Sequence, residues 1–178
     1  WGGPELITFS RLEDWSQRPE EGIRYYSGTA VYRIDFDLPG SIRADPGKKN
    51  EMHAAVRIDL GNVKNIARVA INGQEAGILW CAPWSIDVSG MLKQTGNHLE
   101  VTVANLWPNR LIGDEKLPPD GEFGKRGNLV RWPDWILQPH PSPPSGRHTF
   151  ATWKQYSKDS PLLPSGLLGP VRLLQERP

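Results

Sequence analysis

Hydrophobic and polar residues alternate along several short stretches of the chain. Between positions 29 and 38, Ala30, Tyr32, Ile34, Phe36 and Leu38 share one face, with Arg33, Asp35 and Asp37 on the other. A two-residue period with one polar face predicts a half-buried antiparallel strand. The same pattern returns at 56–60 and 67–71, and Asn72-Gly73 follows at once. Both of those residues tolerate positive φ, so the pair predicts a tight hairpin with 75–80 as the returning strand. Residues 84–88 alternate too, and Ser89 then reads as the cap of one helical turn through Leu92. Gly96-Asn97 predicts a turn, and Leu99, Val101 and Val103 the inward face of the strand after it. Segments 150–153 and 171–174 are expected to close the sheets. Short strands at intervals of eight to twelve residues predict an all-β, antiparallel two-sheet β-sandwich. The pattern alone does not separate a jelly roll from other two-sheet topologies.

Composition sharpens this picture. Eighteen glycines and 17 prolines make up nearly a fifth of the 178 residues, which interrupts the chain too often for long helices. The region 106–146 holds eight of those prolines, five glycines and Trp107, Trp132 and Trp135. Loops of that length are either functional or disordered, and tryptophan argues against disorder. The expectation is one sandwich domain over 1–178, with a lead-in segment 1–27 and a long ordered loop region 106–146. The polar insertion 41–50 reads as a plain solvated loop.

Charge and chemistry then exclude several classes. Twenty-one Lys and Arg offset 20 Asp and Glu, giving a net charge of +1 with no basic patch, so nucleic acid is not an expected partner. The longest apolar run, 78–82, is far short of the ~20 residues of a membrane helix. The first residue is Trp1 and no signal peptide is visible, which suggests a processed chain or a fragment. Cys81 is the single cysteine, and His53, His98, His140 and His148 are scattered, so no metal site is indicated. No cofactor is expected, and no Asp-x-Asp-x-Asp run supports a structural calcium. Nucleophile elbows and phosphate-binding loops are absent, and Ser165-Gly166 reads as a buried turn. Asp114, Glu115, Asp120, Glu122 and Asp134 could supply the carboxylate pair of a glycosidase, but loop carboxylates are usually solvated.

The tryptophans carry more. Sugars offer flat C–H patches to an indole face, while their hydroxyls pair with Asn, Asp and Arg. Trp107-Pro108-Asn109-Arg110 with Asp114, and Trp132-Pro133-Asp134-Trp135, combine both kinds of group. The candidate carbohydrate-binding residues are therefore Trp107, Asn109, Arg110, Asp114, Trp132, Asp134 and Trp135, and no catalytic residue is assigned. Proline beside Trp107 and Trp132 restricts the backbone and lowers the ordering cost of binding. Each tryptophan could instead plug one end of the sandwich, but at least one of the three is expected to be exposed. Trp80, Trp84 and Trp153 fall within strand patterns and are expected in the core, with Trp15 packing down the lead-in segment.

Several stretches resemble known modules. Residues 26–32 (Tyr-Ser-Gly-Thr-Ala-Val-Tyr), 58–61 and 70–77 are similar to the opening strand and central hairpin of the sugar-binding domain of family 2 glycoside hydrolases; 82–88 and 96–101 are similar to its next two strands. Residues 105–114 and 159–171 resemble the C-terminal module of the family 106 α-L-rhamnosidases. The resemblance implies a galactose-binding-like jelly roll, without catalytic residues of its own. It also implies a bacterial, secreted or periplasmic glycoside hydrolase as the parent. The implied partners are a carbohydrate, such as a plant cell-wall glycan, and the catalytic domain of the same polypeptide, with no membrane involved. Such a module either binds glycan or only braces the catalytic barrel.

Overall fold

The computed structural model describes residues 2–42, 55–139 and 143–175. Most of the insertion at 41–50, together with His53 and His140, lies outside them. In chain order the strands are β1 (Thr29–Phe36), β2 (Val56–Asp59), β3 (Asn62–Lys64), β4 (Ile66–Ile71), β5 (Gln74–Leu79), β6 (Ser85–Asp87), β7 (Asn97–Ala104), β8 (Glu122–Phe123), β9 (Leu129–Arg131), β10 (Gly166–Gly169) and β11 (Arg172–Gln175). Two short helices, α1 (Glu21–Arg24) and α2 (Pro108–Asp114), complete the regular structure together with three single 3-10 turns. The chain divides into two compact units. The first comprises Trp1–Thr8, Trp15–Gly28 and Leu106–Pro164; the second comprises Phe9–Asp14, Thr29–Asn105 and Ser165–Pro178. The long loop region and most of the lead-in segment fall in the first unit, whereas 9–14 of the lead-in belong to the second.

The second unit is the antiparallel β-sandwich. One layer has the order β1-β7-β4-β5 and the other β11-β2-β6. The β10–β3 pair continues the second layer past a break where Gly61 bridges Gly169. Gly61 has φ +68, and a Cβ there would lie 2.4 Å from the Gly169 carbonyl, so the two backbones meet only because Gly61 carries no side chain. The alternation sorts most residues as expected: Ala67, Val69, Ile71, Leu99, Val101 and Val103 from one layer meet Val56, Ile58, Leu60, Val63 and Leu167 from the other, whereas Ile34 of β1, expected on the inward face, is 60% exposed. Each large aliphatic buried there stabilises the fold by about 1.5–3 kcal/mol.

The Asn72-Gly73 hairpin is present, with φ of 54° and 80°. Asn72 also ties down neighbouring chain: its amide donates to the Met91 carbonyl at 2.8 Å and its Oδ1 accepts from His98 N at 2.9 Å. Asn97 is buried and bonds both backbone groups of Lys93. Ser89 does not cap the turn that it begins; its hydroxyl accepts from Val56 N and bonds Asp87, stitching the β2 end to the β6 end. β11 closes the second layer as expected.

Three expectations need correction. Segment 150–153 does not close the sandwich; it lies in the first unit, where Trp153 bridges Asn128 beside the β8–β9 hairpin. Trp80 is 74% exposed, because the pairing of β4 with β5 shifts register at Ala76. A bulge of one residue reverses which side chains face inward, so Ala76 and Leu79 pack on the core while Trp80 turns outward. Trp153 is 50% exposed. Only Trp84 of the three packs against the core, part-buried.

Candidate functional site

The first unit has little regular structure, and its side chains take over work that sheet ladders do elsewhere. α2 begins with Pro108 in its first turn, where the missing N–H costs nothing. It escaped the sequence reading because it lies between prolines and carries no apolar stripe. Of its seven residues, Asn109, Arg110, Ile112, Gly113 and Asp114 are buried. Its clearest sequence signals are Pro108 at the start and the i,i+4 pair of Arg110 with Asp114.

That burial settles what the polar candidates on α2 touch. Asn109 donates to the Leu163 carbonyl at 2.7 Å and accepts from Leu163 N at 2.8 Å. Asp114, at 0% exposure, accepts through one oxygen from His148 N, Thr149 N and the Thr149 hydroxyl, at 3.0, 2.8 and 2.7 Å. Its other oxygen lies 3.0 Å from the Arg110 guanidinium, off hydrogen-bonding alignment. Arg110 stacks over Tyr25, 5.9 Å from the ring centroid. These three residues, expected to meet a sugar, instead bind strands of their own loop unit together. A second set works the same way: Asp120 holds the N–H and hydroxyl of Ser145, and Arg147 donates to the carbonyls of Leu117 and Pro118.

The indoles divide differently. Trp107, at the N-cap position of α2, is 55% exposed, and Trp132 is 61% exposed. Trp132 and Trp135 both pack on Phe150, with ring centroids 5.9 and 5.5 Å apart, the second edge-on. Trp135 is half-buried and donates from Nε1 to the Asp120 carbonyl at 3.3 Å. Trp132 therefore packs against Phe150 while most of its surface stays open to solvent. Asp134 is exposed, 3.6 Å from Arg131, whose other neighbour is Glu122 at 3.9 Å. The structure thus brings Trp132, Asp134 and Trp135 together on one turn and buries the polar partners near Trp107.

Trp153 and Tyr156 were not among the candidates, and they line a groove of about 240 Å³ with Leu111 and Glu115. Elsewhere in the unit Lys116 hydrogen-bonds Glu21 and sits 5.0 Å over the Tyr25 ring. That hydrogen bond holds the Glu21 carboxyl below its ordinary value and raises Lys116 above its own. Among the described residues no cluster of His, Cys, Asp and Glu could hold a metal ion, and no helix is long and apolar enough to cross a membrane.

Two packed antiparallel layers make the second unit an all-β sandwich. No family model matches the chain. The particular likenesses are to long enzymes. A Formosa agariphila protein named "Putative beta-glucuronidase" is 45% identical over 94% of this chain and 14% of its own length. A rhamnosidase from Novosphingobium sp. superposes with a TM-score of 0.68 at 34% identity, over 98% of this chain and 13% of that one. A β-glucuronidase from an uncultured Clostridium aligns over 55% of this chain and 16% of its own, at 19% identity and a TM-score of 0.42. The chain thus spans about one seventh of the curated relative that it matches.

Proposed function

We propose that this chain is a non-catalytic accessory module of a bacterial, secreted or periplasmic glycoside hydrolase of the rhamnosidase-like kind, and that it binds plant-type glycans through exposed tryptophans. The observation that carries the reading is Trp132, an indole 61% open to solvent yet braced by Phe150. A supported, exposed aromatic face is ready to stack on a pyranose without further ordering. Trp107 is a second exposed indole. The absence of catalysis is supported by how the loop carboxylates are occupied: Asp114 and Asp120 hold backbone, Glu115 pairs with Arg147, and Glu122 and Asp134 flank Arg131. Trp132→Ala is expected to lower affinity for a glycan retained in affinity gels by about tenfold, with a smaller loss for Trp107→Ala. Absence of retardation on any plant polysaccharide would remove this reading.

One observation favours a bracing role for the sandwich. On the outward face of the four-stranded layer, Val31, Ile66, Ile78 and Trp80 are all exposed at one end. The register places Val31 opposite Thr102, Thr102 opposite Arg68, and Arg68 opposite Ile78, so these residues share a face. Exposed apolar residues gathered on one face, here with Thr102 and Arg68 between them, mark contact surfaces, and the catalytic domain of the same polypeptide is the natural partner. On this reading the isolated chain self-associates, and Trp80→Ser with Ile78→Ser abolishes the association. A strictly monomeric wild-type chain at high concentration would speak against it.

A further inference from the structure

Resting on the carbohydrate-binding reading, we propose that the groove between Leu111 and residues 151–156 is a sugar site in its own right, and that it takes an uncharged pyranose against Trp153. The groove has a volume of about 240 Å³, and Glu115, Trp153, Lys154 and Tyr156 line it. Trp153 is half-exposed, and its backbone is pinned on both sides: Leu129 N donates to the Thr152 carbonyl, and Lys154 N donates to the Gly127 carbonyl, each at 2.8 Å. The indole is thus presented by a fixed edge of chain, which spares the ordering cost of a mobile loop.

The polar lining is equally fixed. Glu115 accepts from Arg147 Nη1 at 2.8 Å, and Arg147 is itself held by two backbone carbonyls. Lys154 lies over the Phe123 ring, 5.0 Å from its centroid. Its ammonium is 3.9 Å from the second Glu115 oxygen, too far for a hydrogen bond. A carboxylate and an ammonium at that separation keep hydrogen-bonding capacity, and a sugar hydroxyl, which both donates and accepts, can use both. The lining holds one charge of each sign. Because the two charges balance, the lining carries no net charge to draw in a uronate or an amino sugar, and an uncharged ring can hydrogen-bond both groups. Tyr156 adds a second half-buried aromatic.

The test is a glycan array carrying neutral and uronate-containing plant oligosaccharides, followed by fluorescence titration of the strongest ligand with wild type, Trp153→Ala, Lys154→Gln and Trp132→Ala. Neutral ligands are expected to bind, with affinity falling about tenfold or more in Trp153→Ala and several-fold in Lys154→Gln, whose exposed side chain is no threat to folding. Binding lost in Trp132→Ala but unchanged in Lys154→Gln and Trp153→Ala would overturn the groove and leave the carbohydrate-binding reading standing. Preference for uronate-containing ligands would overturn the assignment of an uncharged sugar. Wild-type protein that binds nothing on the array would end both.

Discussion

The two units solve the same problem, the pairing of buried backbone groups, by different means. In the sandwich the ladders of β1, β7, β4 and β5 satisfy N–H and C=O groups in sequence, and the side chains are left to pack or to face water. In the loop-built unit few ladders exist, so Asn109, Asp114, Asp120 and Arg147 act as surrogate partners for backbone. This unit also draws on twelve of the 17 prolines and six of the eight tryptophans. Buried polar groups must find partners wherever the ladder is missing. Polar residues crowded around tryptophans are therefore ambiguous in a sequence. They look like a binding site, and here three of the four polar candidates, Asn109, Arg110 and Asp114, hold the chain together instead.

The contrast can be broken most forcefully at Asp114. Asp114→Ala removes three hydrogen bonds and strands the buried Arg110 charge, for an expected loss of about 3–5 kcal/mol. Hydrogen exchange should show protection lost in α2 and at 147–149 but kept in β4 and β7. Equal loss everywhere would show that the units unfold as one and that the contrast is only architectural. In the sandwich, Leu60→Ala should cost about 2–5 kcal/mol by opening a cavity at a fully buried position, read as a lower urea midpoint. Here the protection pattern should reverse, with strand amides losing most.

Asn109→Ala tests the surrogate role at a single backbone site. It leaves both polar groups of Leu163 without that partner, for an expected cost of about 1–3 kcal/mol. A change within experimental error would mean that water replaces the amide. The smallest effect concerns Glu21 and Lys116. Because the folded Glu21 carboxyl sits below its ordinary 4.5, its contribution is full above that value and is lost as the pH falls through the lowered one. Lys116, raised above 10.5, contributes fully below that value and loses its share as the pH rises past it. Both groups are exposed, so Glu21→Gln should shift the thermal midpoint only slightly downward at neutral pH, and by progressively less as the pH falls below 4.5 towards 3. An unchanged difference at pH 3 would assign the effect to something other than the ion pair.

Much of the sandwich was legible in the chain, because a two-residue period and an Asn-Gly turn act locally and need no knowledge of distant partners. Ala67, Val69, Ile71, Leu99, Val101 and Val103 face inward as their alternation requires. Trp80 did not follow, because one extra residue at Ala76 reverses the facing of everything after it, and a bulge of that kind is set by the partner strand. The candidate site was half legible. At least one of Trp107, Trp132 and Trp135 was expected to be exposed, and Trp107 and Trp132 are, whereas Asn109, Arg110 and Asp114 are enclosed.

Local periodicity, turn chemistry and the clustering of indoles with prolines follow from residue order, since each depends on neighbours a few positions apart. Burial does not: whether a carboxylate faces water or a backbone amide 35 positions away, as Asp114 does with Thr149, depends on how distant segments are folded back upon it. Desolvation is a property of the assembled neighbourhood. Folding alone therefore separates the residues that hold this chain together from those left open to a ligand.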